Sequence, residues 1–359
     1  MITKNKTKFR IAVVAPPFTV VPPNGQGGTE RIIYQMIEGF KKRKYDVTLF
    51  GTGRCKTSAK FIQIFQKTIS ERKIDTTYIE ASRNLRLETV YIASVMREIL
   101  KREKDFDIVF NHMRGGYLFL PLSKFLKIPV VSILHLPIFE ELGKFILSYK
   151  NSNIITISDS QRKPAPKVNY LATVYNGADL NEFEFCEKPK DYFLFISAIG
   201  EHKNPKEAIL AAKRTNSKLI LAGGKKREPY FSKEIKPLID GKQIKYVGEV
   251  SGKKRIDLYK NAKALLFPIK WPEPFGLVMI EAMACGTPVI GFNNASVPEV
   301  VENGKTGFVV NCSTKGLIQG IKKINLIKRK DCRKLVEEKF SLEKMIDGYE
   351  KVCFKLIKK

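Results

Sequence analysis

Residues 267–291 read FPIKWPEPFGLVMIEAMACGTPVIG. The apolar run that ends at Pro268 has the continuous hydrophobicity of a strand buried on both faces. A loop with Trp271, Pro272, Glu273 and Pro274 follows. Gly276 then opens a helical stretch, and Gly286 stands where a helix takes its C′ glycine. At such a start the backbone N–H groups of Gly276, Leu277 and Val278 lack partners inside the helix. Donors and dipole together favour an anion there. Glu273 precedes this point, and Glu281 lies about one and a half turns into the helix. Carboxylates on either side of an anion site suit hydroxyl-rich groups, because an ionised carboxylate accepts from paired hydroxyls. Spacing alone also admits a plainer reading, in which Glu273 merely precedes a helix and Glu281 is solvated.

Working outward, the same alternation recurs along the chain. Residues 10–15 (RIAVVA) predict a buried strand, residues 16–28 a Pro/Gly loop, and Ile32, Ile33, Met36, Ile37 and Phe40 one face of a helix. Residues 46–51 form the next expected strand, followed by 108–111, 130–135, 154–158 and a short strand and turn at 174–177. The charged stretch 184–191 (EFCEKPKD) has the composition of a linker. The pattern then restarts with strands at 192–197, 218–223, 244–248, 262–268 and 288–291 and helices at 205–213 and 277–284. Strands alternating with helices predict parallel sheets and an α/β fold of two domains, 1–183 and 184–340, followed by a terminal helix over 341–359. Tandem domains of this kind take ligands at the carboxyl ends of their strands, in the cleft between them.

Composition narrows the classes. The chain has 359 residues, 43% hydrophobic and 28% charged, which is globular. No apolar run reaches the roughly 18 residues of a membrane-spanning helix. The polar, lysine-bearing start lacks the apolar core of a signal peptide, so a cytoplasmic protein is expected. Six cysteines without a C-x-x-C pair read as free thiols. The formal net charge of +28 is the unusual number. It attracts nucleic acid, anionic lipid or phosphorylated small molecules. The basic residues are spread along the chain, without an aromatic–basic nucleic-acid motif. Two groups stand out as candidates for docking to an anionic membrane face: Lys41, Lys42, Arg43 and Lys44, and Lys101, Arg102 and Lys104.

Glu273 and Glu281, within EPFGLVMIEAMACGTPVI, resemble the E-x7-E signature of family 4 (group 1) retaining glycosyltransferases of the GT-B fold. The likeness extends to VPEVVENGKTGFVV (297–310), YVGEV (246–250), VYNGADL (174–180) and GQGGTE (25–30), in the family's order. It implies two Rossmann-like domains facing a cleft, with the last helix crossing back to the N-terminal domain, and a metal-independent hexosyltransferase. No cofactor is implied beyond a UDP- or GDP-sugar co-substrate. The acceptor would be a glycan, lipid or small molecule.

By the same resemblance Glu281 would bond the ribose, Glu273 the transferred sugar, and the backbone of Phe275, Gly276, Leu277 and Val278 the sugar and diphosphate. Lys203 would face the diphosphate, and Glu249 and Val250 the base. Gly28 would lie near the donor phosphates. His135 at a strand end would bond the donor sugar, so Glu273 and His135 are the catalytic candidates. Glu30 and His112 are acceptor candidates. Asp105-Phe106-Asp107 spells the metal motif of a different transferase fold and reads here as surface acids before a strand. One departure matters. Relatives carry Gly-Arg where this chain has Ser197-Ala198, so a cation on the leaving diphosphate is missing, with Lys225 or Lys226 as candidate replacements. A nucleotide-sugar binder with impaired transfer and, from charge alone, a nucleic-acid-binding protein are the rival readings.

Overall fold

The computed structural model describes residues 8–25, 27–72, 82–150, 152–225 and 228–357. Two compact units emerge. The first holds residues up to 157, 162–175 and 345 onward, and the second holds 158–161 and 176–344.

The first unit is built on strands β1 (Arg10–Val14), β2 (Asp46–Thr52), β3 (Lys60–Phe65), β4 (Ile108–Asn111), β5 (Val130–Leu134), β6 (Ile154–Thr156) and β7 (Ala172–Thr173). Their spatial order is 3-2-1-4-5-6-7 and every pairing is parallel. Parallel neighbours require crossovers, which cover both faces of the sheet and explain the unbroken apolar runs of β1, β4 and β5. β3 was not expected from sequence. Its KFIQIF lies at a half-exposed edge and is broken by Lys60 and Gln63 instead of running apolar. The expected strand at 174–177 is a correction. Pairing stops at Thr173, and Val174 keeps only one further bond, its N–H to the Thr156 carbonyl at 2.9 Å.

The helix Gly28–Lys42 buries Ile32, Ile33, Met36, Ile37 and Phe40, the face its periodicity predicts. The helix Leu342–Leu356 joins this unit from Met345 on. Ile346 lies against Gly39, where a Cβ would fall 2.5 Å from Ile346 Cγ1. Arg43 pairs with Asp347 at 2.6 Å and Glu350 at 3.0 Å, and Tyr45 donates to Glu350 at 2.6 Å. Arg43 is therefore committed to the tail helix, and Arg102 is likewise tied to Glu98, which thins both basic groups singled out above. Asp107 accepts from the Arg10 backbone at 2.8 Å and from its guanidinium at 2.9 Å, a structural use of the D-x-D string.

The second unit carries β8 (Phe193–Ile196), β9 (Leu219–Ala222), β10 (Ile244–Tyr246), β11 (Leu265–Phe267), β12 (Val289–Phe292) and β13 (Gly307–Val310). The order is 10-9-8-11-12-13, again all parallel, so each sheet reverses direction of growth once, between β1 and β4 and between β8 and β11. Residues 184–191 lie inside this unit and do not link the two. Cys186 N–H bonds the Cys285 carbonyl at 3.1 Å and Lys190 N–H the Asn261 carbonyl at 2.7 Å. Buried Arg329 adds bonds to the carbonyls of Ala262 and Lys260, each at 2.8 Å, and to that of Cys186. The chain passes between units instead near 175 and 344. There the Ala178 N–H bonds the Phe340 carbonyl and the Leu342 N–H bonds the Ala178 carbonyl, at 2.8 and 2.9 Å. Residues 158–161 belong here because Glu299 accepts from the backbone N–H groups of Asp159 and Ser160 at 2.7 and 3.0 Å. Among the described residues no helix is long and apolar enough to cross a membrane.

The contact at Gly39 yields a stability test. Gly39→Val should lower the unfolding free energy by about 1–3 kcal/mol, the usual cost of overpacking. Adding Ile346→Ala should recover part of that loss in urea unfolding followed by circular dichroism.

Candidate active site

In an open parallel sheet, ligands collect outside the carboxyl ends of strands where the strand order reverses. In the second unit that point is flanked by the loops after β8 and β11. The first turns through Glu201–Lys203, and the second carries Glu273. Lys203 and Glu273 form an ion pair there, with side chains 16% and 18% exposed. The Lys203 ammonium also lies 5.9 Å from the Trp271 ring centroid. Side-chain amides and a hydroxyl pin the Glu273 loop. Asn204 donates to the Pro268 carbonyl at 3.0 Å, Asn294 to those of Ile269 and Trp271 at 3.1 Å, and Ser296 to that of Phe275 at 2.8 Å. Sequence reasoning missed these three residues. The available signal was polar residues of short reach in the loops that follow strands, in HKNP and NNAS.

Gly276 sits at φ 83° and ψ 67° before the helix Leu277–Ala284, and a Cβ there would meet Met279 Cε at 2.8 Å. Glycine is thus required both for the left-handed backbone and for the space. The Phe275 side chain is buried against Phe340, so only its backbone is available to a ligand. Leu277 and Val278 are half-buried at the helix start.

Glu281 is not the solvated acid of the plainer reading. It is 4% exposed. One carboxylate oxygen accepts from Arg255 at 3.2 Å and the other from Tyr259 at 2.7 Å. Burial, followed by the Glu281 charge, pushes the Tyr259 phenol well above its ordinary value, so Tyr259 keeps its proton and donates. Arg255 also reaches Glu182 at 3.0 Å. A carboxylate has about four acceptor positions, and Arg255 and Tyr259 each take one of them on opposite oxygens. Arg255 and Tyr259 went unnoticed in the sequence because KKRIDLYK looks like a solvated helix. Their i, i+4 spacing on one helix face was the usable sign.

Glu249 is exposed and Val250 half-buried in the loop after β10. That loop is tied to the exit of β9, where Gly223 N–H bonds the Gly248 carbonyl at 2.7 Å and Tyr246 donates to the Gly223 carbonyl at 2.8 Å. Lys225 does not stand in simply for the missing arginine. Its ammonium lies 4.3 Å from the Phe231 ring centroid and 3.7 Å from Glu228. Lys226 lies outside the described residues.

In the first unit the strand-order reversal is flanked by β1 and β4. His112 follows β4, its N–H bonded to the Val14 carbonyl at 3.0 Å. His135 follows β5, and the two rings meet: His112 Nδ1 is 2.8 Å from His135 Nε2, with the planes 20° apart. His112 Nε2 lies 3.3 Å from the Met36 sulfur. A thioether only accepts, so His112 Nε2 carries the proton and Nδ1 accepts from His135 Nε2–H. His135 Nδ1 is then left as an acceptor. Burial holds His135 down to about 4, and burial together with His135 holds His112 well below its ordinary value. Gly28 opens its helix at the surface, whereas Glu30 in the first turn is buried. That burial raises the Glu30 carboxyl, against the opposing pull of a backbone bond and Arg114. Among the described residues no three His, Cys, Asp or Glu side chains are grouped to hold a metal ion.

Two family profiles match in tandem: Glycosyltransferase Family 4 over residues 26–182 and Glycosyl transferases group 1 over 180–340. An uncharacterized 41.2 kDa protein in the cps region of Klebsiella pneumoniae is 34% identical over 119 residues, 32% of this chain and 33% of that one. The matched stretch thus spans only a third of that relative's length. The N-acetyl-alpha-D-glucosaminyl L-malate synthase of Bacillus anthracis is 24% identical over 308 residues, 74% of this chain and 79% of that one. Among solved structures, HepE of Anabaena in complex with UDP and glucose has a TM-score of 0.74 at 15% identity, covering 97% of this chain and 100% of that one. That likeness identifies the two Rossmann-like units as a GT-B fold.

Two outcomes follow from this geometry. Glu281→Ala should destabilise the protein by about 3 kcal/mol in urea unfolding, because it takes the buried acceptor from both Arg255 and Tyr259 and leaves Arg255 only the more exposed Glu182. Glu281→Gln, which keeps the volume and one acceptor, should cost less. The neutral histidine pair gives the second. Between pH about 6.5 and 4 the unfolded chain binds protons that the folded pair refuses, so stability falls as pH drops through that window. Thermal midpoints of a His112→Gln/His135→Gln double variant should show a shallower decline from pH 7 to 4.5 than the parent.

Proposed function

This chain belongs to the family 4, group 1 glycosyltransferases, and we propose that it is a retaining, metal-independent enzyme that moves a hexose from a UDP- or GDP-sugar to an acceptor hydroxyl. The observation that carries the reading is the Lys203–Glu273 pair beside the glycine-opened helix start at Gly276. Each part has a separate task. The ammonium of Lys203 and the N–H groups of Leu277 and Val278 stabilise charge that develops on the leaving diphosphate. A diphosphate draws Lys203 from Glu273 and frees that carboxylate for the hydroxyls of the transferred sugar. Glu281 takes the ribose hydroxyls, and Glu249 and Val250 flank the base. His135 offers Nδ1 as an acceptor to the donor sugar, Gly28 lets backbone approach the donor phosphates, and Glu30 serves the acceptor side; His112, expected there too, has both ring nitrogens taken by Met36 and His135 and acts by positioning His135. No protein nucleophile is assigned; rate comes from positioning and from leaving-group stabilisation. The Anabaena relative solved with UDP and glucose supports a nucleotide-sugar donor.

The first unit is assigned the acceptor side and the second the nucleotide-sugar side, with the tail helix returning to the first. The acceptor is a glycan, lipid or small molecule met in the cytoplasm. Peripheral docking on an anionic bilayer rests on the lysines of the two basic groups named above. A second reading, donor binding with impaired transfer, is favoured by Ala198 and by the engagement of Lys225 with Phe231 and Glu228.

Release of nucleoside diphosphate across UDP-glucose, UDP-N-acetylglucosamine and GDP-mannose separates the readings. Turnover with at least one donor is expected. Glu273→Gln should lower kcat by about 100-fold or more while changing donor affinity little, as for a group whose bond strengthens in the transition state. Donor binding without turnover for every acceptor class would select the impaired binder. Binding of DNA or RNA that falls steeply with salt, without nucleotide-sugar affinity, would select the charge-only reading.

A further inference from the structure

The carboxyl ends of β1, β2 and β3 enclose a second, separate feature of the first unit: a pocket of about 610 Å³. Its floor is preformed. Gly53 at the exit of β2 has φ +64°, and a Cβ there would come within 2.9 Å of Val20 and 3.2 Å of Thr68, so three loops touch at this glycine. Backbone bonds knit those loops together. Lys56 N–H reaches the Val21 carbonyl at 2.8 Å, and Gly53 N–H reaches the Phe65 carbonyl at 2.9 Å. Ile69 N–H reaches the Pro17 carbonyl at 2.9 Å. The walls therefore need no ligand to assemble.

The lining is chemically one-sided. Arg54, Lys56 and Lys67 contribute three cations, against the single carboxylate of Glu71. Glu71 is already engaged, one of its oxygens accepting from the Thr68 N–H at 2.8 Å and the Thr68 hydroxyl at 3.1 Å. Those bonds hold its carboxyl below the usual range. The lining thus keeps a surplus of two positive charges in a concave wall at the strand ends. Such a wall raises the local concentration of anions. A guanidinium fork beside two ammonium groups matches the tetrahedral oxygens of a phosphate better than a neutral sugar. The volume lies in the range of about 300–1,000 Å³ that small ligands occupy.

We propose that this pocket binds the phosphate group of a phosphorylated acceptor, with Arg54, Lys56 and Lys67 as its cationic ligands. That the phosphate belongs to an acceptor rests on the transfer reading above; capture of phosphate by these three side chains does not. The full chain, saturated with UDP so that a diphosphate site is filled, is titrated calorimetrically with inorganic phosphate and then with glucose 6-phosphate. Binding is expected, and the Arg54→Ala/Lys56→Ala/Lys67→Ala variant should lose at least tenfold in affinity. Its UDP affinity and thermal midpoint should stay unchanged, since all three side chains are exposed. A third arm uses phosphatidylcholine vesicles with and without phosphatidic acid. Sedimentation with phosphatidic acid that the triple variant loses places the phosphate on a lipid, and capture of glucose 6-phosphate alone places it on a soluble acceptor. Absence of phosphate, glucose 6-phosphate and phosphatidic acid binding by the parent chain overturns the proposal, as does equal binding by the triple variant. Failure to bind UDP would count against the transfer reading, while the phosphate titrations still decide the pocket.

Discussion

Parallel pairing is the constraint on which the rest of each unit depends. Among the described residues all thirteen strands run parallel to their sheet neighbours. A parallel neighbour can be reached only by a crossover, so each sheet acquires cover on its faces and each central strand becomes an apolar run. The same rule sends every strand-to-helix loop to one edge of the sheet. Polar residues that no strand could tolerate are collected there. Lys203, Glu273 and Gly276 share that edge in the second unit, and His112 and His135 share it in the first.

Position at the edge does not by itself give a site; rigidity does. The Glu273 loop is held by Asn204, Asn294 and Ser296, which donate to its backbone carbonyls. Glu281 is held one step deeper, by Arg255 and Tyr259. The two glutamates thus differ in environment although they belong to one motif. Glu273 is partly solvated and paired with a cation that a diphosphate can recruit. Glu281 is desolvated, and its protein partners are part of the second unit's stability. Substitutions at the two positions cannot be compared without separating folding from binding.

The first unit uses the same edge differently. A thioether that can only accept fixes the proton on His112, and His112 in turn fixes the proton on His135. The imidazole pair stays neutral because burial penalises its charged form. A neutral acceptor at a strand end suits hydroxyl-rich ligands. On the far side of β1 the loops after β2 and β3 carry cations instead, so the edge offers two chemistries several strands apart.

The sequence by itself determined the fold class and the motif. Apolar runs such as IVFN and VVSIL can satisfy their burial only inside covered parallel sheets, and Gly276 between Glu273 and Glu281 marks a helix start that only a glycine can turn. Edge strand β3 escaped notice because KFIQIF, broken by Lys60 and Gln63, carries a weaker hydrophobic signal than a buried run. The linker-like EFCEKPKD misplaced the passage between units because charge reports solvent contact, whereas the bonds of Cys186 and Lys190 that hold the segment are made by the backbone. Only the tertiary structure decided which groups meet across long stretches of chain. Lys203 and Glu273, Glu281 and Arg255, and His112 and Met36 are joined by sheet order and helix packing. No periodicity encodes such pairs, because a local pattern fixes which face a side chain takes but not which distant face is packed against it.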